Sequence, residues 1–352
     1  MLNIVISFDY ELFLGENYAS SSKVLFEPTY KLLALLSKYN VTSTFFVDVC
    51  SVFAHEKYGL NDYVENFARQ LIKMKEMNQD VQLHLHPNWY LSNFVNGKWI
   101  FDTSHYTLHK FGFCKTNDLS ADKIIREGIN YLENLLQPFD QNYKVVAFRA
   151  GGYSLQPHTQ IVESLRKHGV LIDSSVCRNL YSKTDTLSYD YRKCPRAINW
   201  WITPNREFLF CGAKKDGGLF EIPVMSEKNS LFKKVFKPGY DLDFRKEKLN
   251  GSFISMNNCS RPRNIFQKAI VYSSSFSLIS FDSMPSTRMI DYLISFEKKH
   301  RTENCYISII CHPKLVDSGE LTNIEKVISF LTKNPNFNLC NFSDVADTLM
   351  RQ

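Results

Sequence analysis

The stretch NIVISFDYE, residues 3–11, sets a short apolar run directly before two carboxylates, Asp9 and Glu11. Its first six residues are predicted to form a buried strand. An amphipathic helix is predicted over Pro28–Tyr39, with the proline at a natural helix start, and a second strand over Thr42–Val49. This alternation is typical of a parallel sheet covered by helices, so the sequence predicts an α/β fold.

The same alternation continues along most of the chain. Further elements are predicted at Asp62–Met77, Val81–His86, Leu119–Leu136, Val145–Phe148, Pro157–Lys167, Leu219–Val224, Thr287–Lys299, Tyr306–Cys311 and Ile324–Leu331. Residues 178–280 are rich in turn formers and are predicted to be long loops with one or two strands. Because no repeat, low-complexity tract or linker divides the sequence, residues 1–352 are predicted to be a single domain.

Composition narrows the class of protein. Hydrophobic residues make up 44% and charged residues 22% of the chain, which predicts a globular protein with no membrane span. The net charge of +6 is mild, and the basic clusters lack interleaved aromatic residues, so no nucleic-acid partner is predicted. The nine cysteines form no C-x-x-C pair and no signal peptide is recognisable, which together predict a cytoplasmic protein with free thiols. The sequence predicts no oligomeric state.

The two carboxylates after the first strand form the first candidate site. Residues two apart on a strand point the same way, so Asp9 and Glu11 share one face. Carboxylates this close suit a metal ligand beside a general base, because both must lie near the attacking water. A pair of ordinary surface acids has the same spacing.

Two histidines at the end of a later strand form the second candidate. In QLHLHP, residues 82–87, His84 and His86 share one face of an extended chain, with Cα atoms about 6.6 Å apart from the strand rise. Both rings can then reach one ion at Zn–N distances of about 2.0–2.1 Å. The alternative is a pair of partly buried structural histidines.

Arg149 and His312 each follow a further apolar strand. Arg149 precedes the glycine pair 151–152, and a guanidinium held there can position a carboxylate and lower its pKa. His312 ends the run IICHP, residues 309–313. A lone histidine at such a position is more often structural than catalytic.

These segments together resemble the polysaccharide deacetylases, carbohydrate esterase family four and its relatives. The similar segments occur in the family's order along almost the whole chain: SFDYE (7–11), VTSTFFV (41–47), DVQLHLHP (80–87), FRAGG (148–152), HGVLIDSSV (168–176), EIPV (221–224) and CHP (311–313). The resemblance implies a distorted barrel of seven or eight β/α units with long loop insertions, and a metal at the carboxyl end of its strands.

The chain departs from the family's pattern at three points. Tyr10 separates two carboxylates that are adjacent in the commonest form of the first motif, although one subgroup spaces them as here. One residue separates His84 from His86 where three usually intervene, so His86 is either the second metal histidine after a loop deletion or its neighbour. Glycines follow Arg149 where a proline is more usual.

The resemblance implies a role for each candidate residue. Glu11, His84 and His86 would bind a divalent ion, most simply Zn²⁺. Asp9 would be the general base, and His312 would be the general acid. Arg149 and Asp173 would hold Asp9 in place.

The implied reaction removes an N-acetyl group from an amino sugar or glycan precursor. Bacterial surface polysaccharide biosynthesis, as for O-antigen or capsule, is the predicted setting, and the sugar would be free, nucleotide-linked or lipid-linked. Trp89 and Tyr153 are predicted to contact it. Two alternatives remain open: a hydrolase of another amide or ureide C–N bond on the same barrel, and a non-catalytic carbohydrate-binding protein.

Overall fold

The computed structural model describes residues 1–14, 20–113, 119–206, 210–236 and 272–351. Its helices are α1 Glu27–Lys38, α2 Cys50–Lys57, α3 Asn61–Glu76, α4 Ala121–Leu136, α5 Thr159–Lys167, α6 Leu231–Phe236, α7 Ser286–His300, α8 Ser318–Lys333 and α9 Phe342–Arg351. Its strands are β1 Leu2–Tyr10, β2 Thr44–Asp48, β3 Asp80–Leu85, β4 Asn93–Val95, β5 Lys98–Ile100, β6 Ala147–Ala150, β7 Ile172–Asp173, β8 Tyr181–Lys183, β9 Ser188–Asp190, β10 Trp200–Ile202, β11 Leu219–Glu221, β12 Ser226–Lys228, β13 Phe276–Leu278, β14 Tyr306–Cys311 and β15 Phe337–Cys340. Shorter helical turns include Pro87–Leu91, Gly151–Tyr153 and Pro313–Leu315.

A curved sheet of nine strands forms the centre of the molecule. Its order is β10-β11-β7-β6-β3-β2-β1-β14, and β15 also pairs with β1. The neighbours from β11 round to β14 run parallel, whereas β10 is antiparallel to β11. Val224, beyond β11, makes parallel bridges to both Cys177 and Ser308, which brings the two ends of the sheet together. The predicted α/β fold, a distorted β/α barrel, is confirmed.

The alternation of side chains along strand β1 explains why polar groups face the interior of the barrel. Its alternate residues Ile4, Ile6 and Phe8 are fully buried in the larger core, which also contains apolar side chains of the covering helices. Val5 belongs instead to a smaller cluster on the other face of the sheet. Because successive side chains of a strand alternate between faces, Asp9 lies on the same interior side as Val5.

The predicted elements agree with the structure best where they are long. Helix α4 begins after Ser120, whose hydroxyl accepts a hydrogen bond from Lys123 N as an N-cap, as predicted. Helix α2 was not predicted. Residues 178–280 hold six short strands in their described part, β8 to β13, where one or two were expected. Strands of three residues are too short for a two-residue alternation to be recognised.

Two expectations concern the chain as a whole. The prediction of a single domain over residues 1–352 includes residues 237–271, which lie outside the described residues. In the part that is described, no helix is both long and apolar enough to cross a membrane.

Candidate functional site

Asp9 and Arg149 form a buried ion pair inside the barrel. Arg149 Nη1 donates to Asp9 Oδ1 at 2.5 Å. The other guanidinium donors reach the backbone oxygen and hydroxyl of Ser174 and the hydroxyls of Ser7 and Ser308, at 2.9–3.2 Å. Both members of the pair are almost inaccessible to solvent, so these hydrogen bonds offset the cost of burying the guanidinium. The predicted pairing of Arg149 with the general-base candidate is observed.

Asp173 is placed elsewhere, which corrects its predicted role. Its carboxylate accepts from the backbone N–H and the hydroxyl of Ser175, at 3.0 and 2.7 Å, and lies beside Glu221 of β11. Burial raises the pKa of Asp173 and raises that of Glu221 well above its usual range. The next residue, Ser174, is the one whose hydroxyl meets Arg149. Neighbouring residues of an extended chain point to opposite sides, so Asp173 and Ser174 cannot share that contact.

Glu11, His84 and His86 converge at the carboxyl ends of β1 and β3. Their ligand atoms all lie within 4.8 Å of one another, and all three side chains are buried. Glu11 Oε2 lies 2.9 Å from His84 Nε2 and 2.5 Å from His86 Nε2. The three residues predicted to bind a metal are therefore brought together, His86 included.

The second nitrogen of His84 fixes the orientation of its ring. Its Nδ1 lies 2.7 Å from the carbonyl oxygen of Arg149. A carbonyl oxygen can only accept, so Nδ1 carries a proton and donates it there. The other nitrogen, Nε2, faces Glu11 and is the one able to bind an ion, an arrangement typical of metal-binding histidines.

The hydrogen bonding of His86 bears on whether these three residues fit a metal. Both of its ring nitrogens are buried without a hydrogen-bond partner among the described residues, because the short contact with Glu11 lacks hydrogen-bond geometry. A buried imidazole with neither nitrogen satisfied is costly unless something else binds it. One carboxylate and two imidazoles are also the donor set that catalytic zinc sites use. The three residues fit a divalent ion.

Glycine after Arg149 has a steric reason. Gly151 lies so close to the end of β3 that a β-carbon built on it would be 2.8 Å from His86 Nδ1 and would also overlap the carbonyl oxygen of Leu85. Any larger residue would push the His86 ring away from Glu11. The glycine at this position thus makes room for the ring of His86.

The second oxygen of Glu11 is held by a lysine that the sequence analysis missed. Lys314 Nζ lies 2.5 Å from Glu11 Oε1 and donates to the carbonyl oxygen of Leu12 at 3.2 Å. Burial by itself would raise the pKa of Glu11, but Lys314, His86 and His84 hold it well below its usual range, so the side chain is an anion. The position of Lys314, two residues after His312, was the available signal.

His312 lies across the cavity from these residues. Its Nε2 is 3.6 Å from Asp9 Oδ2 and 3.7 Å from Glu11 Oε1, and its Nδ1 lies 2.7 Å from Asp282 Oδ2. Burial alone would lower the pKa of His312, but the carboxylates of Asp282, Asp9 and Glu11 raise it above its usual value. The structure therefore places beside the two carboxylates an imidazole whose protonated form is favoured by its neighbours. The role of Asp282 was not predicted.

Trp89 is buried beneath the site and supports it. The prediction that Trp89 contacts a sugar is therefore corrected. Only 1% of its surface is exposed, and its Nε1 donates to Asp48 Oδ2 at 2.9 Å. Asp48 Oδ1 accepts from the backbone N–H groups of His86 and Cys50, at 3.0 and 3.2 Å. Asp48 thus positions the backbone of His86. Its place at the end of an apolar strand, like that of Asp9, could have identified it.

A cavity of about 300 Å³ opens above these groups. Its lining residues are Asp9, Glu11, Phe13, Leu14, His84, His86, Asn88, Phe101, Asp102, Thr103, Tyr106, Gly152, Tyr153, Thr186, His312, Lys314 and Leu315. Polar groups form the floor, and aromatic and aliphatic side chains form much of the wall. Tyr153, predicted to contact a sugar, is in the lining. The volume suits a ligand of about the size of one sugar residue.

Comparison with known proteins yields likeness of fold. No family model and no curated protein sequence matches the chain. Among solved structures, 4-alpha-glucanotransferase from Thermococcus litoralis has a TM-score of 0.53 at 10% identity, over 98% of this chain and 40% of that chain. A putative polysaccharide deacetylase from Mycobacterium smegmatis has a TM-score of 0.48 at 13% identity, over 100% of this chain and 91% of that one. Puue allantoinase has a TM-score of 0.49 at 12% identity, over 98% and 89%. At such low identity, a likeness bears on the fold alone.

Proposed function

We propose that this protein is a metal-dependent hydrolase that removes the N-acetyl group from an amino sugar or glycan precursor. The observation that carries the proposal is the convergence of three metal-type donors, Glu11, His84 and His86, on a cavity that also holds Asp9 and His312. The resemblance of the strand-end motifs to polysaccharide deacetylases supports the N-acetyl substrate. A cytoplasmic role in the biosynthesis of a surface glycan belongs to the same proposal.

Glu11 and the two histidines would hold the ion. When bound, Zn²⁺ polarises a substrate carbonyl and lowers the pKa of a coordinated water to about 7. The chain contributes the orientation of the donors: the Arg149 carbonyl turns His84, and Lys314 holds the far oxygen of Glu11.

Asp9 is placed to act as the general base. Arg149 occupies Oδ1, while Oδ2 is directed toward the cavity floor and lies 3.6 Å from His312. Oδ2 is therefore the oxygen that would accept a proton from the attacking water.

His312 is placed to act as the general acid. Asp282 holds Nδ1 and stabilises the imidazolium, so Nε2 can donate a proton to the departing amine. The roles of base and acid therefore fall on opposite sides of one cavity. A ligand amide between them would meet both groups in turn.

The first test is the metal content of the purified full-length protein, compared with an E11A/H84A variant. We expect about one divalent ion per chain in the wild type and its loss in the variant. The matched control is E303A/H300A, which removes a glutamate–histidine pair outside the site, 2.8 Å apart in the structure. This control should keep the metal.

The second test is acetate release from a panel of N-acetylated sugars. Release by the wild type and not by E11A/H84A supports the deacetylase. A metal-bound protein that releases no acetate but cleaves small amides or ureides would favour the other C–N hydrolase. Protein that binds no zinc or cobalt would favour a carbohydrate-binding role instead.

A further inference from the structure

Lys314 places an ammonium group in the cavity. Its side chain is only 11% exposed and lines the cavity beside Glu11. An ammonium group has three N–H donors. Glu11 Oε1 and the Leu12 carbonyl oxygen receive two of them, so among the described residues the third donor is left for a ligand.

The other charged groups around the cavity are already paired with partners from the chain. Asp9 pairs with Arg149, and His312 pairs with Asp282. Asp102, at the wall, accepts from the backbone N–H of His105 and lies 3.3 Å from its ring. Among the described residues of the lining, Lys314 is the one lysine or arginine.

The partner of Lys314 is itself shared. Glu11 faces His84 and His86 with one oxygen and Lys314 with the other. A divalent ion held by Glu11 and the two histidines would draw on the same carboxylate charge. The lysine would then be only partly neutralised and could attract an anion. The ring of Phe13, whose centroid lies 5.4 Å from Nζ, limits solvent on one side and strengthens such an attraction.

We propose that Lys314 is a specificity-determining residue that binds an anionic group of the substrate, a carboxylate or a phosphate. The identity of that substrate as an N-acetylated sugar rests on the proposed function. The proposal adds that the sugar carries a negative charge close to its N-acetyl group. A lysine is suited to this task as a point charge that can adjust its direction.

The test is a set of binding affinities measured by calorimetry on the full chain as purified. The ligands are N-acetylglucosamine, its 1-phosphate, its 6-phosphate and 2-acetamido-2-deoxyglucuronic acid. We expect the wild type to bind at least one anionic ligand about 10- to 100-fold more tightly than the neutral sugar, the range for a hydrogen bond to a charged group. The phosphates and the uronic acid separate a carrier phosphate from a ring carboxylate.

Three variants assign the preference to Lys314. Lys314→Met should bind the neutral sugar and the anions about equally, whereas Lys314→Arg should keep the preference. Lys333→Met, which removes an exposed lysine in α8, should behave as the wild type. Circular dichroism and the denaturation midpoint establish that each variant is folded. Should Lys314→Met unfold, Lys314→Gln replaces it, with the same expected loss of the preference.

The outcomes separate this proposal from the proposed function. Acetate release without any anionic preference would overturn the role of Lys314 and leave the deacetylase intact. An anionic preference that depends on Lys314, without acetate release, would support the binding role and overturn the reaction. A preference that survives in Lys314→Met, or a wild type that binds none of the four ligands, would overturn the inference.

Discussion

Asp9 and Glu11 lie two residues apart at the carboxyl end of the same strand, yet their surroundings differ in kind. Asp9 contacts the guanidinium of Arg149, whose three nitrogen atoms each donate to oxygen atoms of the chain. Glu11 meets His86, whose ring nitrogens have no hydrogen-bond partner among the described residues, and a lysine with a donor to spare. The chain completes the Asp9 side of the site by itself. The Glu11 side leaves the ring nitrogens of His86 and one N–H of Lys314 without a partner among the described residues, and these groups could bind an ion or a ligand.

The largest expected effect comes from removing the counter-charge on the Asp9 side. Arg149→Met would leave the Asp9 carboxylate buried without its partner, and losing one member of a buried pair costs about 3–5 kcal/mol. Urea denaturation should show this loss in the free energy of unfolding. Arg192→Met is the matched control, since its pair with Asp190 is exposed and should change stability by less than about 1 kcal/mol.

A second variant sharpens this result. If the cost arises from the uncompensated charge, Arg149→Met should be much less harmful when made together with Asp9→Asn, which is neutral. Equal costs in the two backgrounds would show that lost packing, not charge, destabilises the single variant.

Asp9→Asn by itself should separate chemistry from metal binding. Asparagine has nearly the same shape but cannot accept the water's proton, and general-base catalysis contributes about 10²–10⁴-fold to a rate. We expect kcat to fall by that factor while the metal content stays at the wild-type level. An active Asp9→Asn protein would contradict the role of Asp9, and loss of the metal would show that the two sides of the site are not independent.

The sequence could predict the side chains at the strand ends better than the residues that support them. Asp9, Glu11, His84 and His312 each lie at or just after the end of a predicted strand, and parallel strands bring such ends to one rim of a barrel. Pattern and spacing were therefore sufficient to place these side chains close together. The pairing of Arg149 with Asp9 was predicted from the resemblance of the motifs to a known family, not from pattern and spacing.

The sequence pattern could not identify the residues that support the site. Asp282 lies 30 residues from His312 and follows a three-residue strand that shows no clear alternation. Trp89 is turned into the core by a short helical turn after Pro87, which the sequence did not distinguish from a surface loop. The role of Asp173 was predicted from the resemblance of its motif. The contact with Arg149 is made instead by the next residue, Ser174. Tertiary packing decides each of these positions.

A smaller effect is expected at the acid side of the cavity. Asp282→Asn keeps the shape beside His312 but replaces a charge-assisted hydrogen bond with a neutral one, which is about half as strong. Turnover should fall about 10- to 100-fold while KM and metal content change little, because Asp282 acts through the imidazole. Steady-state kinetics and elemental analysis measure both quantities. A large rise in KM with unchanged kcat would place His312 in substrate binding instead.

The smallest expected effect lies beneath the Glu11 side, in the aromatic layer under Trp89. His55 stacks on Tyr63 with ring centroids 3.7 Å apart, and burial lowers its pKa to about 4. An unfolded histidine titrates near 6.5, so between these two values the unfolded chain binds more protons than the folded one. Lowering the pH must then reduce stability, by about 1 kcal/mol from His55 alone between about pH 7 and pH 5.5.

His55→Phe removes this titration and keeps an aromatic ring against Tyr63. Its absolute stability will fall, because the hydrogen bond between His55 Nδ1 and the Ser51 carbonyl oxygen is lost. The informative quantity is therefore the change in unfolding free energy with pH, compared between the wild type and His55→Phe by urea denaturation. The variant should lose less stability on acidification. An identical loss in both proteins would mean that the acid sensitivity comes from other groups. Protonation in the aromatic layer under the Glu11 side would then leave the unfolding free energy unchanged.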